Sequence, residues 1–291
     1  MPNRFLQLVI IGACVLTISS CSIQHIYMRI TSDYIKYKFE LLKNESNLQK
    51  VQQQLPDNIE SLEQLISDNR ENKENRELRI YAAQAYYSYA FAFIEDRDIN
   101  HATQLYFKAY QHAIKALALH GITNIDLQGD SIELREKVKS LKNDATDALY
   151  WTAISWAKLI EVNQPSLPYL IQFYKPAILM KKVLKLDDSY HYYGSYIFFA
   201  VYYAALPYIL GGNDTTAISY FNMARKLNNN RLLIIDVLQL KYLNSDMQDA
   251  LYTQRLQKII DTPNDRYPEH ALMNAVAKDK AANMLKLSRH E

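Results

Sequence analysis

Residues 76–119, RELRIYAAQAYYSYAFAFIEDRDINHATQLYFKAYQHAIKALAL, carry the pattern that decides the fold. Small residues stand at Ala90, Ala102 and Ala109, and large ones at Phe93 and Tyr106. Two antiparallel helices need this alternation where they touch: alanine lets the backbones approach, and the rings fill the groove between them. The spacing predicts one helix over Arg76 to Ile94 and a second over Asn100 to Leu119, and it fits the 34-residue tetratricopeptide unit.

Outward from this unit the same spacing returns at Ala205, Tyr208, Ala217, Phe221 and Ala224. Its turn, Gly211-Gly212-Asn213-Asp214, combines a helix stop with a helix-starting Asp. Two further helix pairs depart more from the repeat: Asp144 to Val162 with Lys175 to Leu186, and Asp249 to Ile260 with Pro268 to Leu287. An irregular insert is expected around Gly121 to Asp130. Strand alternation is nowhere sustained. The fold class is therefore all-α, with tetratricopeptide-like antiparallel hairpins in an irregular superhelix. Composition agrees: of 291 residues 49% are hydrophobic, and 6 Gly with 8 Pro are too few for a disordered or turn-rich β chain.

The N-terminal MPNRFLQLVIIGACVLTISSC reads as a signal peptide, with Arg4 before an apolar stretch from Phe5 to Ile18 interrupted only by Gln7 and Thr17. It is too short to span a bilayer. Ile18-Ser19-Ser20 before Cys21 resembles the bacterial lipobox, so Cys21 is the expected lipidation site. Cys14 would leave with the leader, making Cys21 the sole cysteine of the mature chain and ruling out an internal disulfide. Ser22 at the next position, rather than an inner-membrane-retaining Asp, points to the periplasmic face of the outer membrane. The expected organisation is a lipoprotein signal peptide at 1–20, a lipidated tether and lead-in helix at 21–55, and the repeat domain at 56–291.

Charge and chemistry narrow the function classes. Lys plus Arg number 33 and Asp plus Glu 31, interspersed along the chain without a basic stripe, so nucleic acid is not an expected partner. There is no phosphate-binding glycine loop, no HExxH and no nucleophile elbow, and no cysteine is left for catalysis. His101, His112 and His120 lie eleven and eight residues apart, which builds no compact helical metal site. The reading is non-catalytic, with no metal and no cofactor. The 23 tyrosines suit helix seams, wet cavities and protein contacts. Tyr192, Tyr196, Phe199 and Tyr203 step by four, three and four, which makes one aromatic stripe on a helix. Core packing is the ordinary role of this stripe and of the helix bearing Tyr150, Trp151 and Trp156. If a ligand channel exists, Tyr150, Trp151, Tyr192, Tyr196, Phe199 and Tyr203 are the residues expected on its wall.

Five segments in order carry a resemblance to a known family: 81–94 (YAAQAYYSYAFAFI), 148–160 (ALYWTAISWAKLI), 184–194 (LKLDDSYHYYG), 206–227 (LPYILGGNDTTAISYFNMARKL) and 267–285 (YPEHALMNAVAKDKAANML). They resemble the T-components of TRAP transporters, periplasmic lipoproteins associated with carriers that depend on a solute-binding protein. The resemblance implies a helical-repeat fold pierced by a largely apolar channel and a homotrimer. It also implies docking of the periplasmic solute-binding protein (the P-component), and a hydrophobic small molecule in the channel. The family's structural turn is kept at Gly211 and Gly212. Before Arg231, where the family tends to have two glycines, this chain has Asn229-Asn230, and the turn should survive because Asn tolerates the left-handed conformation. A lipoprotein scaffold for envelope assembly, unrelated to transport, is the alternative reading of the same residues.

Overall fold

A computed structural model describes residues 33–68, 73–163, 171–243 and 249–288; side chains are described from 33 to 67 and again from Arg76. Cys21 and the leader lie outside these residues. The described chain is all-helical, with thirteen α-helices and no strand. In chain order they are α1 (33–43), α2 (Leu48–Asp68), α3 (Lys73–Tyr89), α4 (Ile99–Ala118), α5 (Asn124–Gln128), α6 (Ser131–Lys139) and α7 (Thr146–Val162). There follow α8 (Tyr174–Leu186), α9 (Tyr190–Ala205), α10 (Asp214–Leu227), α11 (Ile234–Leu243), α12 (Ala250–Ile260) and α13 (Ala271–Leu287).

Helices adjacent in sequence pack as hairpins: α3 on α4, α9 on α10 and α12 on α13, with α7 laid across both α4 and α8. The seam residues read from the sequence do what small and large side chains should. Ala90, Ala102, Tyr106 and Ala109 are fully buried, as are Ala217, Phe221 and Ala224. Asp98 and Asn213 accept hydrogen bonds from the backbone N–H of His101 (3.0 Å) and Thr216 (2.7 Å), so Asn213, not Asp214, caps α10. The insert at Gly121 to Asp130 contains the short α5, whose Thr123 and Asp126 form a capping box.

Four features differ from the expectation. The boundary at Pro56 falls inside α2, because Leu55, Ile59 and Leu62 on either side of the proline bury one continuous face against α3, and α1 adds Ile35, Phe39 and Leu42 to the same core. Tyr208 does not fill a seam; it stands 87% exposed in a 3-10 turn, since Pro207 ends α9 before that position. Phe93 joins the α1–α2 core rather than the α3–α4 groove, because Ala90–Ile94 form a π-turn whose extra residue rotates the side chains beyond it. Finally, α6 and α11 occupy stretches assigned to no helix.

The two turns marked by the sequence behave alike. Gly211 has φ +94°, and a Cβ at Gly212 would lie 2.6 Å from the carbonyl carbon of Leu206, so this turn needs both glycines. Asn229 and Asn230 take φ +52° and +57°, so the left-handed turn survives the asparagine pair. Asn274 on α13 locks it, donating to the Arg231 carbonyl (2.9 Å) and accepting from the Leu233 N–H (2.9 Å), while the Arg231 guanidinium pairs with Glu269 at 3.0 Å.

Candidate functional site

Six helices converge on a central cavity of about 170 Å³. One face of α7 supplies its longest wall: Tyr150, Trp151, Ile154, Ala157, Lys158 and Glu161. At 1.5 Å per residue, the eleven steps from Tyr150 to Glu161 span about 16 Å, so the space is long and narrow. Opposite stand Tyr87 from α3 and Phe91 and Phe93 from the π-turn, with Val51 and Leu55 of α2 behind them. Ile197, Phe198 and Val201 of α9, Leu238 and Tyr242 of α11, and Met273 and Val276 of α13 close the remaining sides. The wall is almost wholly apolar, and a dry cavity near 150 Å³ with such walls accommodates a benzene-sized guest.

Of the six residues expected on a channel wall, Tyr150, Trp151 and Tyr192 line this cavity. Tyr196, Phe199 and Tyr203 lie on a different side of α9. Phe199 and Tyr203 pack on Tyr220 of α10, with ring centroids 5.5 and 5.7 Å away, and Tyr196 lies 6.3 Å from the same ring. The stripe divides because His191, Tyr192 and Tyr193 are left-handed, with φ between +49° and +61°, so Tyr192 is out of register with the right-handed helix beyond it. Three successive non-glycine residues in this region cost roughly 1–2 kcal/mol each, and the surroundings hold them there. Asn228 donates to the Tyr192 carbonyl at 2.9 Å, and His191 sits among Tyr150 and Trp151 with centroids 5.2 and 5.0 Å away. Burial pushes the His191 imidazole down to about 4, so it is neutral at pH 7. Gly194 then lets the hydroxyl end of the Tyr150 ring approach the backbone: a Cβ there would meet Tyr150 Cε2 at 2.7 Å. Trp156 points away from the cavity and packs on Tyr110 at 5.9 Å.

One end of the cavity is charged, and no sequence motif announced it. The π-turn places Glu95 in the interior, its side chain only 4% exposed. Lys280 of α13 donates to both Glu95 Oε1 and Asp96 Oδ2 at 2.8 Å, and Lys158 of α7 lies 3.1 Å from Glu95 Oε2 and 3.1 Å from Glu161 Oε2. Lys241 of α11 stands 3.9 Å from each of the two glutamates. The Tyr106 hydroxyl donates to Glu95 and the Tyr242 hydroxyl to Glu161, both at 2.5 Å. Lys280 also lies 4.3 Å over the Phe91 ring.

Three lysines thus meet three carboxylates. Burial alone would raise the Glu95 carboxyl, but Lys158, Lys280 and Lys241 outweigh it and hold it well below the usual carboxylate range. Burial likewise opposes the charge on Lys158, and Glu161 and Glu95 reverse that, keeping its ammonium charged far into alkali. Glu95 and Lys158 are therefore both ionised at neutral pH. Glu161 is 28% exposed although it is surrounded by protein, because its free surface faces the cavity.

These elements define a helical-hairpin protein organised around an internal apolar cavity, with a neutral ionic cluster closing one end. The chain belongs to the family of TRAP transporter T-components (TAtT), whose match covers residues 44–290. It is accordingly an accessory component of a TRAP-type transport system. No curated protein matches the chain.

Proposed function

We propose that this chain is a lipid-anchored, non-catalytic accessory of a TRAP-type uptake system, which docks the periplasmic solute-binding protein and holds or passes a hydrophobic small molecule. The observation that carries the reading is the central cavity: a long apolar space built jointly by six helices of a transporter component. An apolar cavity of this kind costs packing energy, and binding a guest offsets that cost. Anchoring follows from the Ile18-Ser19-Ser20-Cys21 signature. Each buried methylene of an acyl chain contributes about 0.8 kcal/mol, so several chains give lasting attachment to the outer membrane. Assembly as a homotrimer is part of the same proposal.

The test is a crosslinked pull-down from periplasm with the Cys21→Ala chain as bait, mass spectrometry of the partner, and the native mass of the chain alone. A single dominant solute-binding protein and a trimeric mass are expected. Recovery of envelope-assembly proteins instead would replace this reading with a lipid-anchored scaffold. Membrane fractionation checks the anchor: the unaltered chain should sediment with outer membrane and the Cys21→Ala chain should not.

A further inference from the structure

The charged end of the cavity says what kind of guest the apolar walls receive. Glu161 presents a carboxylate with about four acceptor positions. Tyr242 and Lys158 fill three: Oε1 accepts from the Tyr242 hydroxyl (2.5 Å) and from Lys158 (3.3 Å), and Oε2 faces Lys158 at 3.1 Å. One acceptor position is left on this carboxylate, and Glu161 is part of the cavity wall. Next to this end stands Tyr87, wedged between Trp151 and Phe91 with centroids 5.8 and 6.2 Å away, and 5.3 Å from Tyr106. Its side chain lines the cavity, and its hydroxyl makes no hydrogen bond among the described residues. A hydroxyl on the cavity wall without a protein partner is free to pair with a guest.

The cavity wall therefore carries an open acceptor on Glu161 and an open donor on Tyr87. Its charges already cancel, since Lys158, Lys241 and Lys280 balance Glu95, Asp96 and Glu161. An ionised head brought against this cluster would add an uncompensated charge in a poorly hydrated place, which is strongly disfavoured. A head that both donates and accepts without charge completes the pattern. We infer that the cavity receives an uncharged amphiphile whose hydroxyl or primary amide lies between Glu161 and Tyr87, and whose short apolar chain runs along α7 toward Trp151. This rests on the reading of the cavity as a ligand site, and it excludes fatty carboxylates and alkylammonium ions as preferred guests.

Six-carbon probes test it on the full-length Cys21→Ala chain, which carries no acyl chains to compete for the cavity. Calorimetry and the tryptophan emission of a Trp156→Phe background, which leaves Trp151 as the sole tryptophan, are followed at pH 7 with 1-hexanol, hexanamide, hexanoate, hexylamine and benzene. Hexanol and hexanamide should bind at least tenfold more tightly than hexanoate or hexylamine. Tyr87→Phe, which keeps the ring, should weaken hexanol several-fold and leave benzene unchanged. Glu161→Gln leaves one positive charge in excess and should move the preference toward hexanoate. Hexanoate or hexylamine binding as tightly as hexanol would overturn the inference. So would benzene binding with no preference among the heads, although the apolar-cavity reading would then stand. Failure of every probe to bind would overturn both.

Discussion

Glu95→Gln is the sharpest perturbation of the ionic cluster. The substitution keeps the volume and one carbonyl acceptor but removes the charge that faces Lys158, Lys280 and Lys241. Glu95 is 4% exposed and both nearer lysines are buried, so solvent cannot replace the lost charge. Breaking one partner out of a buried ion pair costs roughly 3–5 kcal/mol, because an uncompensated charge stays behind. At about 2–4 °C per kcal/mol for a chain of this size, the melting temperature should fall by roughly 6–20 °C. Urea unfolding at pH 7 measures the difference directly. The pH dependence follows from the sign of the shift. The folded-state carboxyl is held below its ordinary value of 4.5, so its contribution is present above pH 4.5 and is lost as the pH falls below it. The gap between the two chains should therefore be full at pH 7 and narrow progressively below pH 4.5. Adding Lys280→Met to Glu95→Gln removes one of the stranded cations, and the pair should cost less than the sum of the singles. A loss under about 1 kcal/mol at pH 7 would refute the reasoning, since exposed, hydrated pairs contribute that little.

Asn229→Ala and Asn230→Ala should each lose about 1–2 kcal/mol, whereas Asn230→Gly should be neutral or slightly stabilising, because the turn demands positive φ at both positions; thermal unfolding checks this. Gly194→Ala drives a methyl into Tyr150 and should cost roughly 1–3 kcal/mol by overpacking, with a change in Trp151 emission as the cavity wall shifts. Glu63, held down to about 2 by the hydrogen bond from His112 and by Tyr86, contributes stability above pH 4.5 that disappears between pH 4.5 and 2. Because its side chain is 37% exposed, the contribution is screened to about 1 kcal/mol or less, and Glu63→Gln should flatten that part of the acid-stability curve.

The hairpins were legible because their determinants are local. Ala90, Ala102 and Tyr106 declare a seam within one 34-residue window, whereas the left-handed turn before Arg231 was expected from the family resemblance, with asparagine able to keep it. The cavity was half legible. Trp151 and Tyr150 share a face of α7 that periodicity can read. Tyr192 reaches the same space by leaving the helix that its spacing implied, and nothing in Tyr-His-Tyr-Tyr marks a left-handed run. Asn228, held far along the chain, is what fixes it. The ionic cluster was not legible at all. Glu95 begins a polar stretch, Glu-Asp-Arg-Asp, that reads as a solvated turn, and its partner Lys280 is 185 residues away. Burial of a charge is decided by tertiary neighbours, and one sequence does not show them.

That separation of 185 residues also sets the order of assembly. Open helical arrays stabilise each unit chiefly through its immediate neighbours, so end units fray or can be removed one at a time. Here the last helix clasps the α3–α4 hairpin through Lys280 and Glu95, and that contact forms only when α13 has been made and has folded back. On its own the N-terminal half sets Lys158 of α7 beside Glu95 but lacks both Lys241 and Lys280, so it holds a buried carboxylate that is only partly compensated. The clasp joins the end of the chain to its first half, so a chain cut before α13 would keep Glu95 and Asp96 without the Lys280 that pairs with both.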